Sequence, residues 1–147
     1  MTRERYIGIS EQSKASKHRL DHAWALFNAV RWRGAMYMAG YAIECLLKTK
    51  LMEMYNCRNL RELEQELQRR RLLPANTTIF THQLEVLLRL TQARDRLRQN
   101  RHIWLQFNVV NSWMPAWRYT ANQSSRSEAQ HFLEAVEPIL EWIDHNI

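Results

Sequence analysis

The chain has 147 residues, which suits one domain, and its 46% hydrophobic and 24% charged residues are ordinary for a globular protein. Its formal net charge of +6 favours contact with polyanions, and three glycines and three prolines are too few turn signals for a many-stranded sheet. Without a run of about 18 apolar residues, the sequence indicates no membrane span.

Helical periodicity runs through the first half of the chain. Apolar residues from Leu20 to Val30 share one stripe and predict a first helix. A second is predicted from Ala35 to about Tyr55, with Gly34 either separating the two or lying inside one bent segment. Asn59 precedes Glu62 by three residues, which predicts a capped start for a short third helix.

The second half continues the helical pattern. Thr81 predicts the start of a helix from Gln83 to about Arg94, and Ile103 opens another that ends near Pro115. A capping box at Ser125 predicts the last helix, in which Pro138 should cause a kink or remove a backbone hydrogen bond. The chain is therefore predicted to be an all-α, up-and-down bundle of four to five main helices.

The domain and compartment follow from the same features. We expect one domain over 1–147, with its core at about 15–145. Residues 1–5 (MTRER) lead into no apolar run, so no signal peptide is expected. Cys45 and Cys57 have neither a disulfide framework nor metal-ligand spacing, which favours the cytoplasm and predicts no metal or cofactor.

Three short segments resemble HEPN domains, in the order that this family shows. Segment 39–48 (AGYAIECLLK) is similar to the family's second helix, with its small residues, Glu44 and a Leu-Lys end. Segment 81–84 (THQL) is similar to its Thr-His-Asp-Leu helix start, with Gln83 in place of the usual Asp. Segment 117–119 (WRY) resembles its Arg-Tyr pair, and the resemblance covers roughly 15–145.

The resemblance implies a four- to five-helix up-and-down bundle that forms a homodimer. Some HEPN members are metal-independent ribonucleases, often toxins, with an Arg and a His separated by four to six residues. Others lack this motif and act as binding modules, frequently beside a minimal nucleotidyltransferase. The function of the chain therefore depends on which group it joins.

Arg96 and His102 have the spacing of the ribonuclease motif. In that role His102 would move the proton of a ribose hydroxyl, and Arg96 would stabilise charge on the phosphate. The alternative is an arginine-rich surface in which the spacing arises by chance. The motif also lies earlier in the chain than expected, because the family-like Arg118 comes after it.

Glu44 and Lys48 are four residues apart on one helical face and can form an ion pair. The resemblance implies Arg118, followed by Tyr119, as a further partner of Glu44. This cluster is interpreted either as an ion pair that joins two helices or as the polar floor of a nucleotide- or phosphate-binding groove. His82 is expected either to contact phosphate at a helix start or to pack locally.

The middle third of the chain is the most basic, with ten basic and five acidic side chains over 58–101. Its candidate nucleic-acid surface consists of Arg69, Arg70, Arg71, Arg94, Arg98 and Arg101. The alternative is a solvated face that keeps the protein in solution. Likewise, Trp104, Trp113 and Trp117 are expected in the core, at a dimer interface or under stacked bases.

These features rank three functions. The first is a HEPN-type binding module without catalysis, binding nucleotide, RNA or a nucleotidyltransferase partner in a toxin–antitoxin or defence-type system. The second is a metal-independent ribonuclease that uses Arg96 and His102. The third is a dimeric scaffold without a ligand. An enzyme of small-molecule metabolism is not expected, because the sequence has no glycine-rich phosphate loop and no evident catalytic triad.

Overall fold

A computed structural model of the chain describes residues 9–120 and 122–147. Residues 1–5, where no signal peptide is expected, lie outside this part. The described part contains seven α-helices: α1 (Ile9–Asn28), α2 (Trp32–Met54), α3 (Leu60–Arg69), α4 (Leu84–Leu90), α5 (Arg94–Gln99), α6 (Arg101–Val110) and α7 (Arg126–Asn146). A 3-10 helix covers Pro115–Tyr119. The prediction of an all-α chain is thus confirmed for the described residues.

Two helix starts agree with the predicted caps. The Asn59 side chain accepts a hydrogen bond from the Glu62 amide at 2.9 Å, and Ser125 accepts one from the Glu128 amide at 3.1 Å. These bonds satisfy amides that have no partner inside the helix. A third cap, Asn100, accepts from the Ile103 amide at 3.2 Å and starts α6.

Other predicted boundaries are wrong. The helix expected from Gln83 to about Arg94 ends at Leu90, because Gln92 adopts a φ of 62° that an α-helix does not allow. The second helix begins at Trp32, so Gly34 lies inside its first turn.

Of the two later prolines, Pro115 differs from expectation. α6 ends at Val110, before Pro115, which instead begins the 3-10 helix. A proline suits such a start because the first amides of a helix have no internal partner. α7 contains Pro138, as predicted, and continues past it, although a proline cannot donate the backbone hydrogen bond of an α-helix.

Contacts between distant residues define how the long helices run. Trp24 on α1 donates a hydrogen bond to Glu137 on α7, and the Arg126 guanidinium at the start of α7 lies over Phe27, close to the end of α1. These helices are therefore antiparallel. Lys50, near the end of α2, pairs with Asp144 near the end of α7, so these two run in the same direction.

α6 runs against α2 and α7. Arg96, just before α6, donates a hydrogen bond to the carbonyl of Asn146 at the end of α7. After α6, the Trp113 indole donates a hydrogen bond at 2.9 Å to the carbonyl of Tyr37, near the start of α2. The ring of Trp113 is buried against Gly40, where a side chain would collide with it. α2 is the central helix, and buried residues cover most of its surface.

Candidate functional site

Glu44 is a carboxylate buried in the middle of α2, with a side chain only 4% exposed. Its Oε2 atom lies 3.4 Å from Nζ of Lys48, which is 6% exposed. Its Oε1 atom lies 2.6 Å from Nδ1 of His82, in the segment before α4. A buried charge needs such partners because the protein interior solvates it poorly.

We call Glu44, Lys48 and His82 the Glu44 cluster. Aromatic and cationic groups surround it. The Tyr41 ring lies 6.3 Å from the His82 ring, and the Arg19 guanidinium on α1 lies 4.7 Å from the Tyr41 ring. Burial, together with the charge of Glu44, raises the pKa of Tyr41 to about 12. Tyr41 therefore stays protonated near neutrality and does not act as a base there.

The predicted ion pair between Glu44 and Arg118 is wrong. Lys48 and His82 are the partners of Glu44, whereas Arg118 lies on the 3-10 helix with its exposed guanidinium 5.8 Å from the Tyr119 ring. The sequence places Glu44 and Lys48 together through helical spacing. It could not show that His82 takes the second oxygen, because that contact spans 38 residues.

His82 does not lie on an open helix start. The residue preceding α4 is Gln83, and the ring of His82 is directed to Glu44. Thr81, the predicted cap, instead accepts a hydrogen bond from the Gln83 amide. The Glu44 cluster is thus an internal link between α2 and the segment before α4, and its buried lysine has little surface for an anion.

Cys45, next to Glu44, is expected to be unreactive. Burial, and then the charge of Glu44, raises the pKa of this thiol to about 11, and burial also raises the pKa of Cys57. Because the thiolate is the reactive form, iodoacetamide should label neither cysteine of the folded protein at mildly alkaline pH, and both in urea. Mass spectrometry would measure this, and rapid labelling of folded Cys45 would contradict it.

Arg96 and His102 lie on two different helices. Arg96 is on α5 and His102 is in the first turn of α6. Asn100, which lies between them in the chain, caps the start of α6. Both residues are exposed, and no hydrogen bond joins them in the described part of the chain. The Arg96 guanidinium instead binds the Asn146 carbonyl at 3.0 Å.

The arginines of the middle third divide into two groups. At the end of α3, Arg69 and the following Arg70 both bind Glu66, at 2.6 and 2.5 Å, and their hydrogen bonds lower the pKa of Glu66 to about 2. Arg71 follows this helix with a φ of 56° and an exposed side chain. Much of the positive charge on α3 is therefore neutralised locally.

The second group surrounds Trp104 on α5 and α6. The guanidinium groups of Arg94 and Arg98 each lie 5.6 Å from the Trp104 ring. Arg94 also pairs with Glu85 at 3.4 Å. Arg98 and Arg101 are exposed, and neither forms an ion pair with a carboxylate among the described residues.

A cavity of about 250 Å³ opens between α1, α2 and α7. Its wall is mostly apolar, and it is lined by Ser16, Lys17, Leu20, Leu46, Leu140, Glu141, Asp144 and His145. None of the site residues predicted from the sequence lines it. The described residues include no cluster of three or more His, Cys, Asp or Glu side chains placed to hold a metal ion.

Comparison of the chain with protein-family models, with curated proteins and with solved structures gives no match. Among the described helices, none combines the length and the apolar character needed to cross a membrane.

Proposed function

We propose that this chain is a HEPN-type helical module that binds RNA without cleaving it. The observation that carries the proposal is the surface formed by Arg98, Arg101 and Trp104, which we call the α5–α6 surface. Its two arginines are exposed and have no carboxylate partner among the described residues, and its indole already lies against guanidinium groups. Cations that no carboxylate neutralises remain available to phosphates.

The HEPN assignment draws support from how the resembling segments are used. Glu44 lies at the centre of the longest helix with a partner in His82, so the first two segments meet in one cluster. The third segment forms the 3-10 helix ahead of α7. Taken in chain order, α1, α2, α6 and α7 alternate in direction, which agrees with the up-and-down bundle that the resemblance implies.

Binding is favoured over cleavage by the placement of Arg96 and His102. Catalysis needs the acid–base and charge-stabilising groups to converge on one phosphate. Here Arg96 is engaged with the end of α7, and His102 extends from another helix. The homodimer, the nucleotidyltransferase partner and a toxin–antitoxin or defence-type role are proposed with the module.

Replacing both Arg98 and Arg101 by alanine should weaken binding to a labelled single-stranded oligoribonucleotide. The slope of log affinity against log salt should fall by about 0.7 for each phosphate that the variant no longer neutralises. Fluorescence anisotropy over a salt series would measure both effects. The matched control is Arg69→Ala with Arg70→Ala, which removes the same charge from arginines held by Glu66. Equal weakening in the two double variants would contradict the α5–α6 surface.

An RNA-cleavage assay distinguishes a binding module from a ribonuclease. Without added metal, the wild-type protein and the His102→Ala variant should both leave a labelled RNA intact. The variant should bind RNA nearly as tightly as the wild type, since one exposed histidine adds little to the affinity. Cleavage by the wild type that His102→Ala abolishes would overturn the assignment of a binding module.

A further inference from the structure

Four arginines lie on or beside the elements at the end of the bundle where α1 ends and α2 and α7 begin. We call this surface the arginine end, and it consists of Arg31, Arg33, Arg118, Arg126, Trp117 and Tyr119. Arg33 of α2 lies 4.6 Å over the Trp117 ring of the 3-10 helix, and that ring packs on Phe132 of α7. These interactions thus join α2, the 3-10 helix and α7.

The second side of this end is built from α1 and α7. The Arg126 guanidinium lies 5.6 Å over the Phe27 ring, which packs at 5.1 Å against Trp32. Trp32 and Arg33 are the first two residues of α2, so the contacts on both sides involve the first turn of that helix. These rings hold the guanidinium groups on a packed base rather than on a loose loop.

None of the four arginines forms an ion pair with a carboxylate in the part of the chain that the structure describes. Five other arginines do, on carboxylates of α3 and α4: Arg58, Arg69, Arg70, Arg89 and Arg94. Glu128, in the first turn of α7, is the acidic residue nearest to Arg126 in the chain, and it accepts a hydrogen bond from Ser124. The arginine end therefore carries four cations that no ion pair with a described carboxylate neutralises.

Tyr119 gives this surface an open aromatic face. The residue is 83% exposed, the highest value among the large exposed hydrophobic residues, and the Arg118 guanidinium lies 5.8 Å from its ring. An exposed ring has no packing role to explain it. A ring beside a cation offers a base both a stacking surface and a nearby partner for its phosphate.

We infer that the arginine end is a second binding surface, for a single-stranded nucleic acid. A base would stack on Tyr119, and phosphates would contact Arg31, Arg118 and Arg126. An acidic peptide would use the same charges but not the open ring, so the ring favours the nucleic acid. The choice of ligand class rests on the proposed function, but the surface is separate from the α5–α6 surface.

The two surfaces lie at opposite ends of the fold. Arg126 begins α7, whereas Arg96, beside the α5–α6 surface, contacts Asn146 at its end. The 21 residues of α7 span about 30 Å at 1.5 Å per residue. A variant at one end therefore leaves the charges at the other end unchanged, and the contributions of the two surfaces can be measured separately.

The test compares RNA binding by three variants with the wild type. Tyr119→Ala should weaken anisotropy-detected binding of a mixed-sequence oligoribonucleotide about fivefold or more, whereas Tyr119→Phe should retain it because the stacking face remains. Arg31→Ala with Arg126→Ala should lower the salt slope. The control is Arg58→Ala with Arg89→Ala, since Glu62 and Glu85 already hold these arginines. Circular dichroism would verify that each variant is folded.

Each outcome decides between the proposals. Weakening at the arginine end but not in the control supports the inference. Weakening only by Arg98→Ala with Arg101→Ala overturns it and leaves the proposed function standing. Absence of RNA binding by the wild type overturns both. In a further outcome, polyglutamate competes equally well in the wild type and in Tyr119→Ala, and this variant binds RNA as tightly as the wild type. That result assigns the surface to an acidic protein and also overturns the inference.

Discussion

The Glu44→Gln variant should lower the free energy of unfolding by about 3–5 kcal/mol, which is the cost of leaving a buried charge without its partner. The amide keeps the size of the carboxylate, so packing changes little. The charge on Lys48, however, stays inside the protein with a side chain only 6% exposed. Urea denaturation, followed by far-ultraviolet circular dichroism, would measure the difference.

A double variant gives the matched control for this result. Glu44→Gln combined with Lys48→Met removes the stranded charge, and we expect it to recover most of the stability. His82→Ala should cost less than Glu44→Gln, because the histidine side chain is 45% exposed and water replaces part of its interaction with Glu44. If Glu44→Gln lowers the free energy of unfolding by less than about 1 kcal/mol, the Glu44–Lys48 pair behaves like a solvent-exposed ion pair.

The Gly40→Ala variant should be destabilised by about 2–3 kcal/mol through overpacking. A Cβ atom at this position would lie 2.2 Å from the Trp113 ring, far inside contact distance. The ring cannot move easily, because it donates a hydrogen bond to the Tyr37 carbonyl and packs on the rings of Tyr37 and Tyr41. The melting temperature and the near-ultraviolet signal of the buried tryptophan would report the change.

Gly34 is the control for this substitution. It lies in the first turn of the same helix, and a Cβ atom there would meet Leu26 at an ordinary 3.6 Å. Gly34→Ala should therefore be neutral or stabilise the protein by up to about 1 kcal/mol, since alanine favours the helix. Equal destabilisation at Gly34 and Gly40 would contradict the role assigned to the packing of Trp113 on Gly40.

The Glu44 cluster and the Gly40–Trp113 packing belong to the same part of the molecule. Gly40 lets Trp113 approach α2, and Tyr41, the next residue, connects that ring to His82. The Glu44 cluster then holds the segment before α4 against α2. Two of the segments that resemble HEPN domains, 39–48 and 81–84, therefore act in the structure mainly as internal supports, whereas the third, 117–119, belongs to the arginine end.

Local chemistry in the sequence was enough to predict much of the helical structure. Asn59 and Ser125 identify two helix starts because a side-chain oxygen three residues before an amide can cap it. The pairing of Glu44 with Lys48 follows from the helical repeat alone. The break after Leu90 was missed because it depends on the φ of Gln92, a residue type with no turn preference strong enough to announce it.

The sequence by itself determined the helical class, two capped helix starts and the positive charge, since each depends on residues a few positions apart. Only the tertiary structure decided which charges are free. Lys50 pairs with Asp144 across 94 positions, and Arg31 and Arg126 lie at one end of the bundle although 95 positions separate them. The last third of the chain has five acidic and two basic side chains, and both basic ones lie at that end. Composition gives the average charge of a stretch of sequence, whereas the electrostatic potential of a surface depends on the distances between charged groups in the folded protein.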